Sequence, residues 1–428
     1  QFQPDGALGF GTLLGGAGDS FGFAGCEAAT AAELDAAGNV VLAGYTGAAD
    51  FPVTAGAYAA APLTSQETFI ARLNPIGQTP QYPTNLNHAT GRSRVSLARP
   101  ADDTLYLTGQ TWSPGLPTTA GAWDTQLDGY AADAFALKFR LDAPPLNAAW
   151  AEFGGGSATG GGISANGGDS LRPALVEAPD GTIYVAWSDA SSGDAEIYVR
   201  RWRNGVWEEA GTGAASAGGV SDNAGSSTAP ALAVGEDGVV YLAWSDDSDG
   251  DQEIFVRRFQ DGVWRESGAG SAAQGGISDN NGPSQWPSLA ATGGVVYVAW
   301  DDGSGGNQEV YLKAWDGQRW LELDNSARGG GLSKTAGDSA RPQVAINEGA
   351  PVVAWSDSTG GDSDVYVARW NGRRWGALGR GSTSGSGISA NDSLSRLGEL
   401  AAGPDGDLYA VWADNGRGDF AVSVRPWD

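Results

Sequence analysis

Tyr184-Val-Ala-Trp187 ends a short apolar run, and a run of the same kind recurs four times later in the chain. The later copies end at Trp244, Trp300, Trp355 and Trp412, which gives spacings of 57, 56, 55 and 57 residues. A second large aromatic residue stands 15 positions after each of the five tryptophans, at Trp202, Phe259, Trp315, Trp370 and Trp427. A period this constant over five copies marks an internal repeat.

Each repeat has the pattern of four short strands. In the first copy, residues 173–176 precede a Pro-Asp-Gly turn, and residues 182–187, 197–202 and 206–207 follow as further apolar runs. Asn204-Gly205 separates the last two runs, and Asn-Gly favours a type I′ hairpin because this turn needs positive φ at both central residues. The run at 182–187 is apolar on both faces, which predicts a sheet covered from both sides.

Residues 1–155 carry a longer version of the repeat. Segments ending at Gly44 and Gly109 correspond at a spacing of 65 residues, and the match continues from residues 52–58 to residues 117–123. Two such units before the five make seven. Repeated four-stranded sheets that stack in a ring are propeller blades, so the sequence predicts one all-β domain, a seven-bladed β-propeller of four-stranded antiparallel blades.

The predicted domain spans residues 1–428, and its blades occupy residues 20–85, 86–155, 160–210, 217–268, 275–323, 331–379 and 387–428. The last blade lacks a fourth strand, whereas residues 7–14 form a spare one. We therefore expect residues 7–14 to pair with residues 420–427 and close the ring. Between chains, the same pairing would make a homo-oligomer or a filament. Pro426 has no N–H and must lie where none is needed.

The charge balance excludes several partners. The chain has 25 Lys and Arg against 51 Asp and Glu, a formal charge of −26, which repels phosphate backbones and anionic lipid. We expect neither nucleic acid binding nor membrane insertion. The sequence begins at Gln1 with no initiator Met and no apolar leader, which is typical of a mature bacterial protein at the cell surface or outside the cell after signal-peptide removal.

Side-chain chemistry argues against most catalytic centres. The chain has one histidine, His88, and one cysteine, Cys26, from which neither a Ser-His-acid triad, nor a Cys-His pair, nor a His-based zinc site can be assembled convincingly. We predict no catalytic residue. A carboxylate pair for glycoside cleavage stays open as an alternative, since acids are abundant.

Arginines recur at the start of the innermost strand. Arg94, Arg172, Arg341 and Arg396 occupy positions that we align, and blades 4 and 5 carry Ala229 and Trp286 there. Guanidinium groups at the mouth of the axial pore would bind a carboxylate bidentately, and Trp286 would offer a stacking surface for a sugar. The competing interpretation is ion pairing with neighbouring acids such as Asp189.

Acidic residues crowd the loop between the second and third strands. The densest copy contains Asp246, Asp247, Asp249, Asp251 and Glu253, hard oxygen ligands of the kind that Ca²⁺ prefers. This loop is the candidate metal site, and Ca²⁺ is the one cofactor we consider. The alternative, favoured by the repetition in every blade, is that the carboxylates cap tight turns.

The segments Leu13-Leu-Gly-Gly-Ala-Gly-Asp19 and Phe51-Pro-x-Thr-x-Gly-Ala-Tyr58 resemble the seven-bladed propeller repeats of secreted bacterial proteins. Blades 3 to 7 resemble sialidase-like and TolB-like exported propeller repeats, of the form Trp-Ser-Asp followed by Gly-Asp-x-Glu-Ile-Tyr. The resemblance implies the fold and export, and leaves function open.

We expect a non-catalytic extracellular module with a structural, adhesive, self-assembling or glycan-binding role. The alternative is a sialidase-like carbohydrate-active enzyme or a lectin that uses the pore mouth.

Overall fold

A computed structural model describes residues 12–15, 27–35, 37–48, 50–53, 67–74, 80–86, 95–98, 104–111, 132–140, 151–152, 157, 162–379, 381–403, 406–416 and 421–427. Within these ranges the regular elements are 28 β-strands, arranged in seven sheets of four. A search of the same ranges for helices long and apolar enough to cross a membrane found none. The predicted all-β, seven-bladed propeller is confirmed.

The first four blades follow one another along the chain after a short first strand, β1 (Thr12–Leu14). Blade 1 comprises β2 (Ala28–Leu34), β3 (Val40–Thr46), β4 (Glu67–Leu73) and β5 (Pro80–Leu86). Blade 2 comprises β6 (Ser96–Ala98), β7 (Thr104–Thr111), β8 (Asp133–Arg140) and β9 (Ala151–Glu152). Blade 3 comprises β10 (Ser170–Glu177), β11 (Ile183–Asp189), β12 (Glu196–Arg203) and β13 (Val206–Glu209). Blade 4 comprises β14 (Ser227–Val234), β15 (Val240–Asp246), β16 (Glu253–Gln260) and β17 (Val263–Glu266).

The remaining three blades repeat this order. Blade 5 comprises β18 (Ser284–Thr292), β19 (Val295–Asp302), β20 (Glu309–Trp315) and β21 (Trp320–Leu321). Blade 6 comprises β22 (Ser339–Asn347), β23 (Ala350–Asp357), β24 (Asp364–Trp370) and β25 (Trp375–Ala377). Blade 7 comprises β26 (Ser395–Ala402), β27 (Leu408–Asp414) and β28 (Ala421–Trp427).

The tryptophan-bearing strand is the buried centre of its blade. Every residue of β11 is buried, since β10 and β12 flank it in the sheet and the neighbouring blades cover its two faces. The hairpin that follows has the expected turn, because Asn204 and Gly205 have φ values of 52° and 85°. Both positive angles are those of a type I′ turn, so this prediction is confirmed.

Apolar packing runs around the whole ring. Seven clusters of buried side chains lie one at each interface between neighbouring blades. The cluster between blades 7 and 1 joins Val40 and Phe69 of blade 1 to Val411 and Val424 of blade 7. Burial of apolar area between blades is therefore the main force that holds the sheets together.

The sheet of blade 7 includes β1, which lies beside β28. Its strand order is β1-β28-β27-β26, with Thr12 opposite Val424 and Leu14 opposite Val422. Leu14 is 2% exposed and belongs to the cluster between blades 7 and 1. Of the predicted strand 7–14, residues 7–11 lie outside the described residues. Pro426 lies opposite Tyr409 in β27.

Candidate functional site at the axial mouth

A bulge in the innermost strand shapes the mouth of the axial channel. In blades 3 to 6 the strand register shifts at the residue before a proline, and this residue has a φ between 52° and 55°: Arg172, Ala229, Trp286 and Arg341. Such angles cost energy for a residue other than glycine. Because Ala229 shares the angle with the arginines, the bulge belongs to the blade architecture, and only the side chain placed on it varies.

In blades 3, 5 and 7, a side chain of the preceding blade accepts a hydrogen bond from the backbone at the bulge position. The backbone N–H of Arg172 donates to Oε1 of Gln110 at 3.0 Å, and that of Trp286 donates to Oγ of Ser245 at 3.3 Å. In blade 7, the N–H of Leu397 donates to Oγ of Ser356 at 2.9 Å. These acceptors occupy equivalent positions on the second strands of blades 2, 4 and 6, so the mouth is assembled from neighbouring blades.

The strand register corrects the alignment of one of the four arginines, Arg396. Arg396 lies opposite Ala413, as Leu171 lies opposite Ser188, and Leu397 is the residue that occupies the bulge position. The predicted equivalence of Arg396 with Arg172 is therefore wrong by one residue. Blade 7 has Leu-Gly where blades 3 to 6 have a residue followed by proline, which hid the offset. Arg94, the fourth aligned arginine, lies outside the described residues.

Two arginines from different blades converge on one indole ring. The guanidinium carbon of Arg172 lies 4.4 Å from the ring centroid of Trp286, and that of Arg341 lies 4.5 Å from it. Both distances fit cation–π contacts. The two guanidinium carbons are thus within about 9 Å of each other, an upper limit set by these two contacts. Burial and then the charge of Arg341 lower the pKa of Arg172.

The competing interpretation, in which Arg172 pairs with Asp189, does not match the described side chains. Oδ2 of Asp189 accepts hydrogen bonds from Asn166 at 2.7 Å, from Ser170 at 2.9 Å and from the indole N–H of Trp187 at 2.8 Å. Among the residues that the structure describes, neither Arg172 nor Arg341 has a carboxylate within 4.0 Å. Both guanidinium groups lie on exposed residues at the mouth.

A cavity of about 470 Å³ lies below the two arginines, lined by the innermost strands of all seven blades. Arg172 and Trp286 contribute to its wall, together with apolar residues such as Leu175. Two carboxylates, Glu33 and Glu399, also line it. The mouth therefore combines cationic groups with a channel wide enough to admit part of a small ligand.

Asp301 is a buried acid next to this mouth, and the sequence analysis missed it. It is 2% exposed and lies beside the backbone N–H of Arg341, on the bulge of the next blade. Burial is the main cause that raises its pKa to about 7, with a smaller contribution from Asp302. The sequence does carry a signal, since serine follows the repeated tryptophan in blades 3, 4 and 6 but aspartate follows it in blade 5.

The candidate calcium loop uses its carboxylates within the fold. Oδ2 of Asp246 accepts hydrogen bonds from Asn223 at 2.7 Å, Ser227 at 2.6 Å and Trp244 at 2.9 Å. Asp247 accepts from the N–H of Ser226, and Glu253 accepts from Ser278 and from the N–H of Asn280.

The same loop carries Asp249, whose pKa is raised by partial burial and by the neighbouring Asp251. In the described part of the chain, no three acids, histidines or cysteines are grouped as metal ligands. Calcium binding stays a prediction.

No protein-family model matches the chain, and no curated protein matches it. Solved structures with a similar fold include the polysaccharide lyase Uly1, which is 13% identical with a TM-score of 0.49, over 97% of this chain and 92% of the lyase. A sialidase of Trypanosoma rangeli in complex with the inhibitor DANA is 11% identical with a TM-score of 0.44, over 94% of this chain and 55% of the sialidase.

A protein of unknown function from Dyadobacter fermentans is 13% identical with a TM-score of 0.45, over 85% of this chain and 98% of that protein. Likenesses at this level carry no argument about ligand or activity. The function of this chain has to be argued from its own residues.

Proposed function

We propose that this protein is a non-catalytic binding module that recognises a carboxylate-bearing ligand, such as an acidic sugar, at its axial mouth. The observation that carries the proposal is the convergence of Arg172 and Arg341 on Trp286. Stacking on one ring limits the rotation of both side chains, so less conformational freedom is lost when a ligand binds.

Electrostatics favour an anion at this place. Two positive charges held within about 9 Å repel each other, and an anion between or beside them relieves that repulsion. The planar guanidinium group presents paired N–H donors that match the two oxygens of a carboxylate. A carboxylated ligand is therefore favoured at this site both by charge attraction and by matching hydrogen-bond geometry.

The raised pKa of the Asp301 carboxyl is not evidence for catalysis. Asp301 is buried, so it is not placed to touch a glycosidic bond, and glycoside cleavage needs two carboxyl groups on either side of that bond. For this reason the proposal is a binding module and the carbohydrate-active enzyme is the alternative.

Binding of sodium glucuronate and of N-acetylneuraminate tests the proposal, measured by isothermal titration calorimetry with glucose as the neutral control. Each of Arg172→Ala and Arg341→Ala should weaken binding at least about tenfold, since each removes a charge-assisted contact. The matched control is Arg328→Ala, an exposed arginine that pairs with Glu322 away from this cluster. Equal binding of glucose and glucuronate, or unchanged affinity in both arginine variants, would overturn the proposal.

Two further proposals concern the whole chain. We propose that the protein is exported and acts outside the cell, which antibody detection in culture medium and cell fractions of the source organism would test.

We also propose that β1 closes the ring within its own chain, supported by the pairing of Thr12–Leu14 with β28. Donation of this strand to a second copy is the alternative, and it would give an oligomer or filament.

A further inference from the structure

In blades 4 and 6, the residue after the repeated tryptophan is a serine that contacts the next blade. On the second strand of its blade, it accepts the backbone N–H at the bulge of the next blade, as Ser245 does for Trp286 and Ser356 does for Leu397. In blade 5 the equivalent residue is Asp301, and the bulge beside it carries Arg341. A neutral hydroxyl is thus replaced by an ionisable group directly beneath one of the two mouth arginines.

One oxygen of the Asp301 carboxyl makes no hydrogen bond with the described residues. This atom, Oδ1, is buried. A buried carboxylate with a free oxygen loses hydration that its neighbours do not replace, so its neutral form is favoured. A serine would perform the backbone contact without this cost, as it does in the neighbouring blades.

Few charged groups face Asp301. Arg341 lies on the bulge of the next blade and favours the ionised form, and Asp302 on the same strand disfavours it. The residues paired with Asp301 across the sheet are Gln285 on β18 and Val310 on β20, both uncharged. The charge of Asp301 is therefore coupled mainly to Arg341, which is a member of the proposed ligand site.

We propose that Asp301 controls the charge of the axial mouth, so that protonation of this residue strengthens the binding of a carboxylate ligand. The inference rests on the proposed function and adds its regulation. An ionised Asp301 offsets the positive potential of Arg341 and repels an incoming anion, whereas a neutral Asp301 does neither. Because burial raises the pKa of Asp301 to about 7, the change falls near neutral pH.

Calorimetry with glucuronate at pH 6 and pH 8 tests the inference. The wild-type protein should bind on the order of tenfold more tightly at pH 6, the size expected for one partly screened charge nearby. Asp301→Asn should bind equally at both pH values, with an affinity close to that of the wild type at pH 6. Asp301→Ser, which restores the residue of blades 3, 4 and 6, should behave like Asp301→Asn and provides a second variant that preserves the backbone contact.

Glu208→Gln is the control, since it removes an acid from the outermost strand of blade 3, where Glu208 pairs with Arg201. The inference is overturned if the wild-type affinity does not change with pH, or if both Asp301 variants keep the wild-type pH dependence.

Failure of the proposed function has a different signature. If neither wild type nor Asp301→Ser binds an anionic probe at any pH, the ligand class is wrong. The protonation of Asp301 is then tested on its own. Urea unfolding between pH 5 and pH 8 measures the difference in stability between the wild type and Asp301→Asn. A folded-state pKa raised to about 7 requires the wild type to lose stability relative to the variant as pH rises through 7. A difference that is constant with pH would overturn the protonation step as well.

Discussion

At the scale of the residue, the carboxylate two positions after the repeated tryptophan joins three parts of the chain in blades 3 to 5. Asp246 accepts hydrogen bonds from Asn223 in the loop between blades, from Ser227 on the innermost strand and from Trp244 on the second strand. Asp189 and Asp302 have the same three kinds of partner. A single buried carboxylate thus fixes the loop, the strand and the large indole relative to one another.

The replacement Asp246→Asn should destabilise the protein by roughly 2–4 kcal/mol, because an amide nitrogen cannot accept the donors that now surround Oδ2. Urea unfolding measures the loss. Asp251→Asn is the control in the same loop, and it should change stability by less than about 0.5 kcal/mol.

The same pair of proteins tests the proposed calcium site. Since the Asp246 carboxylate is already saturated with donors, we expect EDTA to leave the melting temperature of the wild type unchanged. A drop with EDTA that calcium reverses, and that Asp246→Asn abolishes, would instead establish a metal site, because a ligand bound only by the folded state stabilises it.

Residue-scale prediction from the sequence was uneven for physical reasons. Repetition in every blade favoured a structural role for the acid that lies two positions after the tryptophan, and the Asp246 carboxylate accepts a hydrogen bond from the nearby backbone N–H of Ser248. Arg396 directly follows Ser395, whereas Arg172 lies two residues after the equivalent Ser170, so alignment on the arginine placed Arg396 one position out of register. The convergence of Arg172 and Arg341 on Trp286 depends on side-chain directions at positive φ, which spacing alone does not give.

At the scale of the element, the outer hairpins of blades 4 to 6 each bind the blade before them. The aromatic pair Phe259 and Trp264 has ring centroids 5.2 Å apart across the hairpin. The indole N–H of Trp264 donates to the carbonyl of Ala210 in the preceding blade at 2.6 Å. The equivalent indoles of Trp320 and Trp375 reach back to Ser267 and Leu323 in the same way. The indoles of these hairpins therefore also join neighbouring blades.

Trp264→Phe should lower the free energy of unfolding by about 1–2 kcal/mol, the sum of a lost hydrogen bond and some lost packing. Val263→Ala on the same strand is the control, because Val263 is 48% exposed and should matter little. Chemical denaturation of the three proteins makes the comparison. Equal losses in both variants would show that the contact with Ala210 contributes nothing.

At the scale of the whole molecule, the number of blades follows from the sequence, whereas the way in which the ring ends does not. Each of the seven sheets has two apolar faces that must be covered, and a closed ring covers all of them. The seven apolar clusters, one at each interface between blades, agree with such a ring. Strand pairing at the junction can form within a chain or between chains with the same contacts. Hydrophobic pattern does not distinguish the two cases, and chain connectivity has to be measured.

A cysteine pair across the junction distinguishes them. Leu13 lies opposite Ser423 in the antiparallel register, and opposed residues in such a pair are close enough for a disulfide. In a Cys26→Ser background, Leu13→Cys with Ser423→Cys should form a disulfide within one chain under mild oxidation. Non-reducing electrophoresis should then show a fast-migrating monomer. Dimers or ladders as the main product would instead indicate strand donation, because each disulfide would join two copies.

Deletion of residues 1–14 complements this cross-link. Within one chain, the deletion should leave the edge of β28 exposed and the protein unstable or aggregating, because Leu14 is buried in the cluster between blades 7 and 1. Deletion of residues 1–11 keeps Thr12–Leu14 and is the matched control, and light scattering with thermal melting compares the two. If strand donation holds the copies together, the longer deletion should instead give a soluble and unassembled protein. The two mechanisms therefore predict opposite solubilities for the same truncation, which makes the pairing of β1 with β28 decisive for how this propeller is completed.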